Sequence, residues 1–141
     1  MKQFVIHLEN SNALAEIGKM LGQYKIDIVS MAGTTAFGVC TAVLFTDDEE
    51  GTINVLRQLS IPFSTQDILV ASIPDEPGSF GHFTQLFKDH SIKLLSFYIL
   101  RFTGKNADIA FSVDETDFEK AQSFLDVSGF IQSVESQKKK K

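Results

Sequence analysis

FVIHLENSNALAEIGKMLGQYKIDIV (residues 4–29) and VASIPDEPGSFGHFTQLFKDHSIKLL (residues 70–95) carry one hydrophobic pattern twice, 66 positions apart. Laid together without a gap, Leu14, Ile17, Met20, Leu21, Ile26, Ile28 and Val29 fall on Phe80, Phe83, Leu86, Phe87, Ile92, Leu94 and Leu95. Few residues are identical, yet the apolar positions coincide. A shared pattern of this kind means that both halves build the same supersecondary unit. Two copies are too few for a solenoid, so the pattern predicts a duplicated small domain.

Working outward, each half reads as strand, helix, strand, strand, helix, strand. In the first, 2–9 is a β-rich run and Asn10-Ser11-Asn12 is a helix-entry cluster. Leu14, Ile17, Met20 and Leu21 then follow helical spacing. The runs 26–32 and 39–46 are β-branched strands, with 33–38 as their connection. Asp47-Asp48-Glu49-Glu50 sits where the positive dipole end of the next helix belongs, and a short strand follows Pro62. In the second half the strand is 68–73, and the helix runs from Pro77 to about His90, with proline in its first turn. Hairpin strands cover 92–102 and 107–113, a last helix follows Asp114, and 130–134 closes the unit. The expected class is α+β: two tandem ferredoxin-like βαββαβ sandwiches with antiparallel sheets and helices on one face. The boundaries are 2–66 and 67–136, joined by a short linker at 64–67. Residues 137–141, with four lysines, read as a mobile, solvated tail.

Composition narrows the function. Thirteen Phe and no Trp supply large apolar side chains for two small cores that, at this length, sit near the limit for folding alone. A net charge of −5 and only two arginines, Arg57 and Arg101, oppose nucleic-acid binding and bidentate phosphate recognition. The single Cys40 forms no internal disulfide, which favours a reducing cytoplasm. Met1-Lys2-Gln3 leads into a short apolar run broken by His7 and Glu9, unlike a signal peptide, and no run is long enough for a membrane helix. His7, His82 and His90 lack ligand spacing, so neither metal nor other cofactor is expected. No nucleophile–base grouping or phosphate loop is visible, and the chain reads as non-catalytic.

The sharpest local signal is Ile73-Pro74-Asp75-Glu76-Pro77-Gly78-Ser79-Phe80, followed by Ser91-Ile92-Lys93-Leu94. Here the sequence resembles the ACT domain, a small regulatory βαββαβ module with a D-x-P-G-x-(L/F) loop after its first strand and an I-N-I-like triplet at its second. The second copy carries the loop as Asp75, Pro77, Gly78 and Phe80, and Lys93 replaces the Asn of the triplet. In the first copy Glu9, Ser11, Asn12 and Leu14 take the aligned loop positions, and Ile26-Asp27-Ile28 forms the triplet. The resemblance covers nearly the whole chain. It implies a regulatory protein that binds a free amino acid at an interface between domains, a symmetric assembly, and a regulated protein partner.

The residues themselves support such a loop. Pro77 lacks an N–H that a helix start would leave unpaired, and Gly78 lets backbone approach a ligand. Unpaired N–H groups there receive a carboxylate, while Asp75 suits an ammonium. The same segment also serves simply as a helix start. The expected ligand-binding residues are Asp75, Glu76, Pro77, Gly78, Ser79 and Phe80, with Asn10, Ser11, Asn12, Asp27, Ser30, Met31 and Lys93. Asn10, Ser11 and Asn12 either cap the first helix or hydrogen-bond a ligand. Asp27 and Lys93, equivalent and opposite in charge, lie between apolar neighbours on predicted strands, so each is either solvated or directed to a site. The main pocket is expected at 75–80, with a second wall from 27–31 of the other copy. Val29 and Met31 alternate with Ile28 and Ser30, and Leu95 and Phe97 with Leu94 and Ser96. Both strand parities are therefore apolar, which predicts partial burial of both sheet faces and a homodimer. The alternative is an interaction module that keeps the fold and binds no small molecule.

Overall fold

The computed structural model describes residues 1–128, which divide into two compact units: Lys2–Asp67, and Met1 with the chain from Ile68 on. The first unit runs β1 (Lys2–Leu8), α1 (Ala13–Gln23), β2 (Ile28–Ala36), β3 (Val39–Thr46), α2 (Glu49–Gln58) and β4 (Phe63–Asp67). Its strands are ordered β2-β3-β1-β4, each neighbour antiparallel. Alternate residues Phe4, Ile6 and Leu8 of β1 and Cys40 and Leu44 of β3 meet Ile17 and Leu21 of α1 and Val55 and Leu56 of α2 in one core.

The second unit runs β5 (Leu69–Pro74), α3 (Ser79–Asp89), β6 (Ser96–Thr103), β7 (Asn106–Ser112), a short 3₁₀ turn at Glu115–Asp117 and α4 (Phe118–Ser128). The strand order β5-β7-β6 repeats β1-β3-β2. Leu69, Ala71, Ile73, Ala107, Ile109 and Phe111 pack against Phe83 and Phe87 of α3 and Ala121 and Leu125 of α4. Phe83, Phe87 and Phe111 interlock edge to face, with ring centroids 4.9–5.5 Å apart. The expected closing strand at 130–134 and the lysine tail lie outside the described residues. The fold is the doubled antiparallel ferredoxin-like arrangement that the hydrophobic pattern predicts.

Local chemistry sets the ends of the elements. Asp48 caps α2 through its carboxylate, which accepts from the Gly51 N–H at 2.9 Å, and Glu49 and Glu50 oppose the helix dipole. Helices α1, α2 and α3 all end in one way: Lys25, Ser60 and Ser91 take left-handed φ of 57°, 54° and 56°. The next residues, Ile26, Ile61 and Ile92, donate back to Leu21, Leu56 and Phe87 at 2.9–3.0 Å. That common exit buries Ile26 and Ile92 at equivalent places.

Several sequence expectations change. Strand β2 continues to Ala36, because the turn is only Phe37-Gly38, with φ of 51° and 76°, as in a two-residue hairpin. The expected linker at 64–67 is instead β4. Pro77 precedes helix α3 rather than starting it; Gly78, at φ 92°, is the cap residue. Asp27 and Lys93 lie just outside β2 and β6, so strand alternation does not place them. Met31, Leu95 and Phe97, expected to be partly covered, are about half exposed.

The gapless repeat also proves too simple. The offset of 66 holds for the helices, where Ile17 and Leu21 match Phe83 and Phe87. On the first strand of each unit, however, the core residues Phe4, Ile6 and Leu8 match Leu69, Ala71 and Ile73, one position less. On β3 and β7, Cys40 and Leu44 match Ala107 and Phe111, one position more. The second copy thus carries two extra residues. One lies in the loop between β5 and α3; the other is Leu100, where the β6–β7 register slips between Ile99 and Arg101.

Candidate functional site

An open cleft of about 390 Å³ lies within the second unit, between the loop entering α3 and the edge strand β6. Ile73, Pro74, Asp75 and Glu76 line it from the strand and loop, and Ser79 and Phe80 from the first turn of α3. Phe97, Tyr98, Ile99 and Ala107 line it from the hairpin. Its volume falls in the range of small-molecule sites. Phe80 and Phe97 approach with ring centroids 5.5 Å apart, yet both remain substantially exposed, at 42% and 53%.

The loop geometry follows from its residues. Proline at 77 holds the chain out of the helix, and glycine at 78 supplies the left-handed turn that only a residue without Cβ takes freely. The Ser79 N–H donates to the Glu76 carbonyl at 3.2 Å, closing that turn. Gly78 offers no side chain to cap α3. The N–H groups of Phe80 and Gly81 therefore find no acceptor among the described residues. A helix start with free donors beside two exposed carboxylates, Asp75 and Glu76, is suited to a ligand carrying both an anionic and a cationic group.

Asp75, Glu76, Ser79 and Phe80 thus reach the cleft, whereas Pro77 and Gly78, between them in the loop, do not line it. Lys93 is exposed and does not line it. In the first unit, the Asn10 side chain accepts from the Asn12 N–H at 2.9 Å, so Asn10 organises its own loop. Asn12 occupies the cap position of α1 without a side-chain cap bond, and Ser11 is exposed. The Asp27 N–H donates to the Asp47 carboxylate at 2.9 Å, and Met31 sits on edge strand β2 opposite Leu44, next to Ser30.

Sequence reading missed the hairpin side of the cleft. Ile99 and Tyr98 lie in an unbroken apolar run that reads as a buried strand; the signal was that this strand needs apolar partners on both faces. On the face of β7 away from α3, Asp108 is fully buried and accepts from Arg101 Nε at 2.8 Å, with the Thr103 hydroxyl 3.3 Å away. Its second carboxylate oxygen and the hydroxyls of Ser72 and Tyr98 have no hydrogen-bond partner among the described residues. Burial pushes the Tyr98 phenol up to about 12.

No family model matches the sequence, and a search of curated proteins finds no match. Solved structures do match. A protein from Bacteroides thetaiotaomicron has a TM-score of 0.80 at 18% identity, covering 92% of this chain and 89% of that one. The regulatory subunit of aspartate kinase from Thermus thermophilus, in a ligand-free form, has a TM-score of 0.61 at 14% identity, covering 85% and 86%. The corresponding subunit from Thermus flavus scores 0.61 at 12% identity, covering 84% of each chain. At these identities the likeness is one of fold. The chain has the tandem fold of ACT-domain proteins. Among the described residues, no helix is long and apolar enough to cross a membrane.

Proposed function

We propose that this chain is a non-catalytic regulatory protein that binds a free amino acid at the loop of residues 75–80. The observation that carries the reading is the uncapped start of α3, with its free N–H groups beside Asp75 and Glu76 at the mouth of the cleft. The donors and the helix dipole take the carboxylate, and the acidic side chains take the ammonium. The fold shared with an aspartate kinase regulatory subunit supports a regulatory role. The proposal extends to residues 27–31 of another copy of the unit as a second wall, and to a cytoplasmic homodimer. Binding then acts through differential affinity, favouring one packing that a protein partner reads.

A thermal-shift screen of the free amino acids tests this. A ligand at about 100 times its Kd adds roughly 2.7 kcal/mol of stability, and Asp75→Asn removes the shift. If no amino acid raises the melting temperature, the reading is wrong; light scattering on dilution of the same samples tests the homodimer. One observation favours the second reading, an interaction module without a small ligand: Phe37, at the tip of the β2–β3 hairpin, is fully exposed, with half-exposed Val39 beside it.

A further inference from the structure

The cleft does more than offer a place for a backbone-like carboxylate and ammonium. Its walls beyond the loop are Ile73, Phe97, Tyr98, Ile99 and Ala107, with the Phe80 ring on the α3 side. Phe97 and Ile99 stand about half exposed, whereas Phe83, Phe87 and Phe111 a few ångströms further in are almost completely buried. Apolar surface is thus held open toward solvent at one end of a core that otherwise closes tightly. The charged side chains lining it are Asp75 and Glu76, both anionic, with no cationic side chain lining it among the described residues.

The first unit shows what the same scaffold looks like without these walls. By strand register and helix position, Leu8, Cys40, Leu14, Met31 and Gly33 stand where the second unit has Ile73, Ala107, Phe80, Phe97 and Ile99. Glycine replaces one wall and a flexible methionine another. The two residues by which the second copy is longer fall at the two sides of the cleft, in the loop before α3 and beside Ile99 on β6. Loop, bulge and bulky walls therefore occur together in the same copy.

Resting on the amino-acid reading above, we infer that this cleft is a side-chain selectivity pocket and that the ligand is an amino acid with a bulky apolar side chain, aliphatic or aromatic. The carboxylates at the mouth complement the single ammonium and repel a second carboxylate, so acidic amino acids are rejected. The apolar walls leave a polar or charged ligand side chain without hydrogen-bond partners. Small amino acids leave Phe97 and Ile99 uncovered and lose their contacts.

Isothermal titration of the full chain with leucine, phenylalanine, alanine and aspartate tests this. Leucine or phenylalanine is expected to bind at least about tenfold more tightly than alanine, with aspartate weaker still. Ile99→Thr, a β-branched change at a half-exposed strand position, is expected to weaken leucine by about fivefold or more while changing alanine by less than about twofold. Circular dichroism confirms that the variant is folded. If alanine or aspartate binds as well as leucine and phenylalanine, or Ile99→Thr weakens all ligands equally, the selectivity inference is overturned while the regulatory reading stands. If none of the free amino acids binds, the regulatory reading itself falls and takes the inference with it.

Discussion

Replacing Tyr98 by phenylalanine is expected to stabilise the protein, although it deletes a polar group from a structured strand. The Tyr98 hydroxyl is buried and has no hydrogen-bond partner among the described residues. Burying such a group unpaired costs about 1–3 kcal/mol, and phenylalanine keeps the ring and its packing. At neutral pH, Tyr98→Phe is therefore worth about 1 kcal/mol or more. The effect must also grow with alkalinity. The phenol is raised from the ordinary 10.0 to about 12 in the folded chain because burial penalises the phenolate. A group whose folded pKa is raised contributes stability that is present in full below the unfolded value and is lost as pH rises through the folded value. Between about pH 10 and pH 12 the unfolded chain gives up this proton and the folded chain holds it, so stability falls with pH. The loss approaches about 3 kcal/mol, and phenylalanine, having no such proton, escapes it. Urea unfolding of parent and variant across this range reads the difference, and tyrosinate absorbance reads the ionisation directly. If the variant is the less stable at neutral pH, or the gap stays constant up to about pH 12, the hydroxyl has a partner and the reasoning fails.

Two further outcomes follow from the described residues. Arg101→Met is expected to cost about 3–5 kcal/mol and Asp108→Asn about 1–2 kcal/mol, because Asp108 is wholly buried while the Arg101 side chain is 35% exposed and can turn to water. Urea midpoints measure both, and a larger loss from Asp108→Asn contradicts the assignment. Phe37→Asn is expected to gain about 1 kcal/mol and raise the melting temperature by a few degrees, since asparagine tolerates the positive φ of 51° and the phenylalanine ring is entirely in solvent. A lower melting temperature in dilute solution shows instead that the ring is engaged.

The helices were legible because their signal is redundant. Ile17 and Leu21, like Phe83 and Phe87, recur at helical spacing, and a one-residue error elsewhere does not disturb them. Strand faces have no such protection: with period two, a single inserted residue turns every side chain over. This is why the gapless repeat placed the helices correctly but misaligned Phe4, Ile6 and Leu8 with residues of the opposite face. Asp108 was invisible for a related reason. Flanked by Ala107 and Ile109, it reads as the solvent-facing member of an alternating strand, and only the register beside Arg101 reveals a buried charge with a partner. The loop half of the candidate site was readable, since proline and glycine carry fixed conformational meaning. The hairpin half depends on which strand lies at the edge of the sheet, and topology decides that.

The two copies make different use of one scaffold. In the first, the Asn10 side chain organises the loop before α1 by accepting from the Asn12 N–H, and the edge strand carries Gly33. In the second, the turn before α3 likewise lacks a side-chain cap, and an extra residue lengthens the loop between β5 and the α3 helix. The bulge at Leu100 lets Ile99 face the cleft side of the sheet while Arg101, two positions on, reaches the opposite face and binds Asp108. Were Leu100 paired in regular alternation instead of bulged, Arg101 would return to the face of Ile99 and bring its guanidinium toward the apolar walls. The bulge thus does two things at once: it absorbs the extra residue so that Arg101 stays on the far face in its ion pair with Asp108, and it keeps a cation away from the cleft. That separation leaves the negative character of the mouth, set by Asp75 and Glu76, free to select an ammonium.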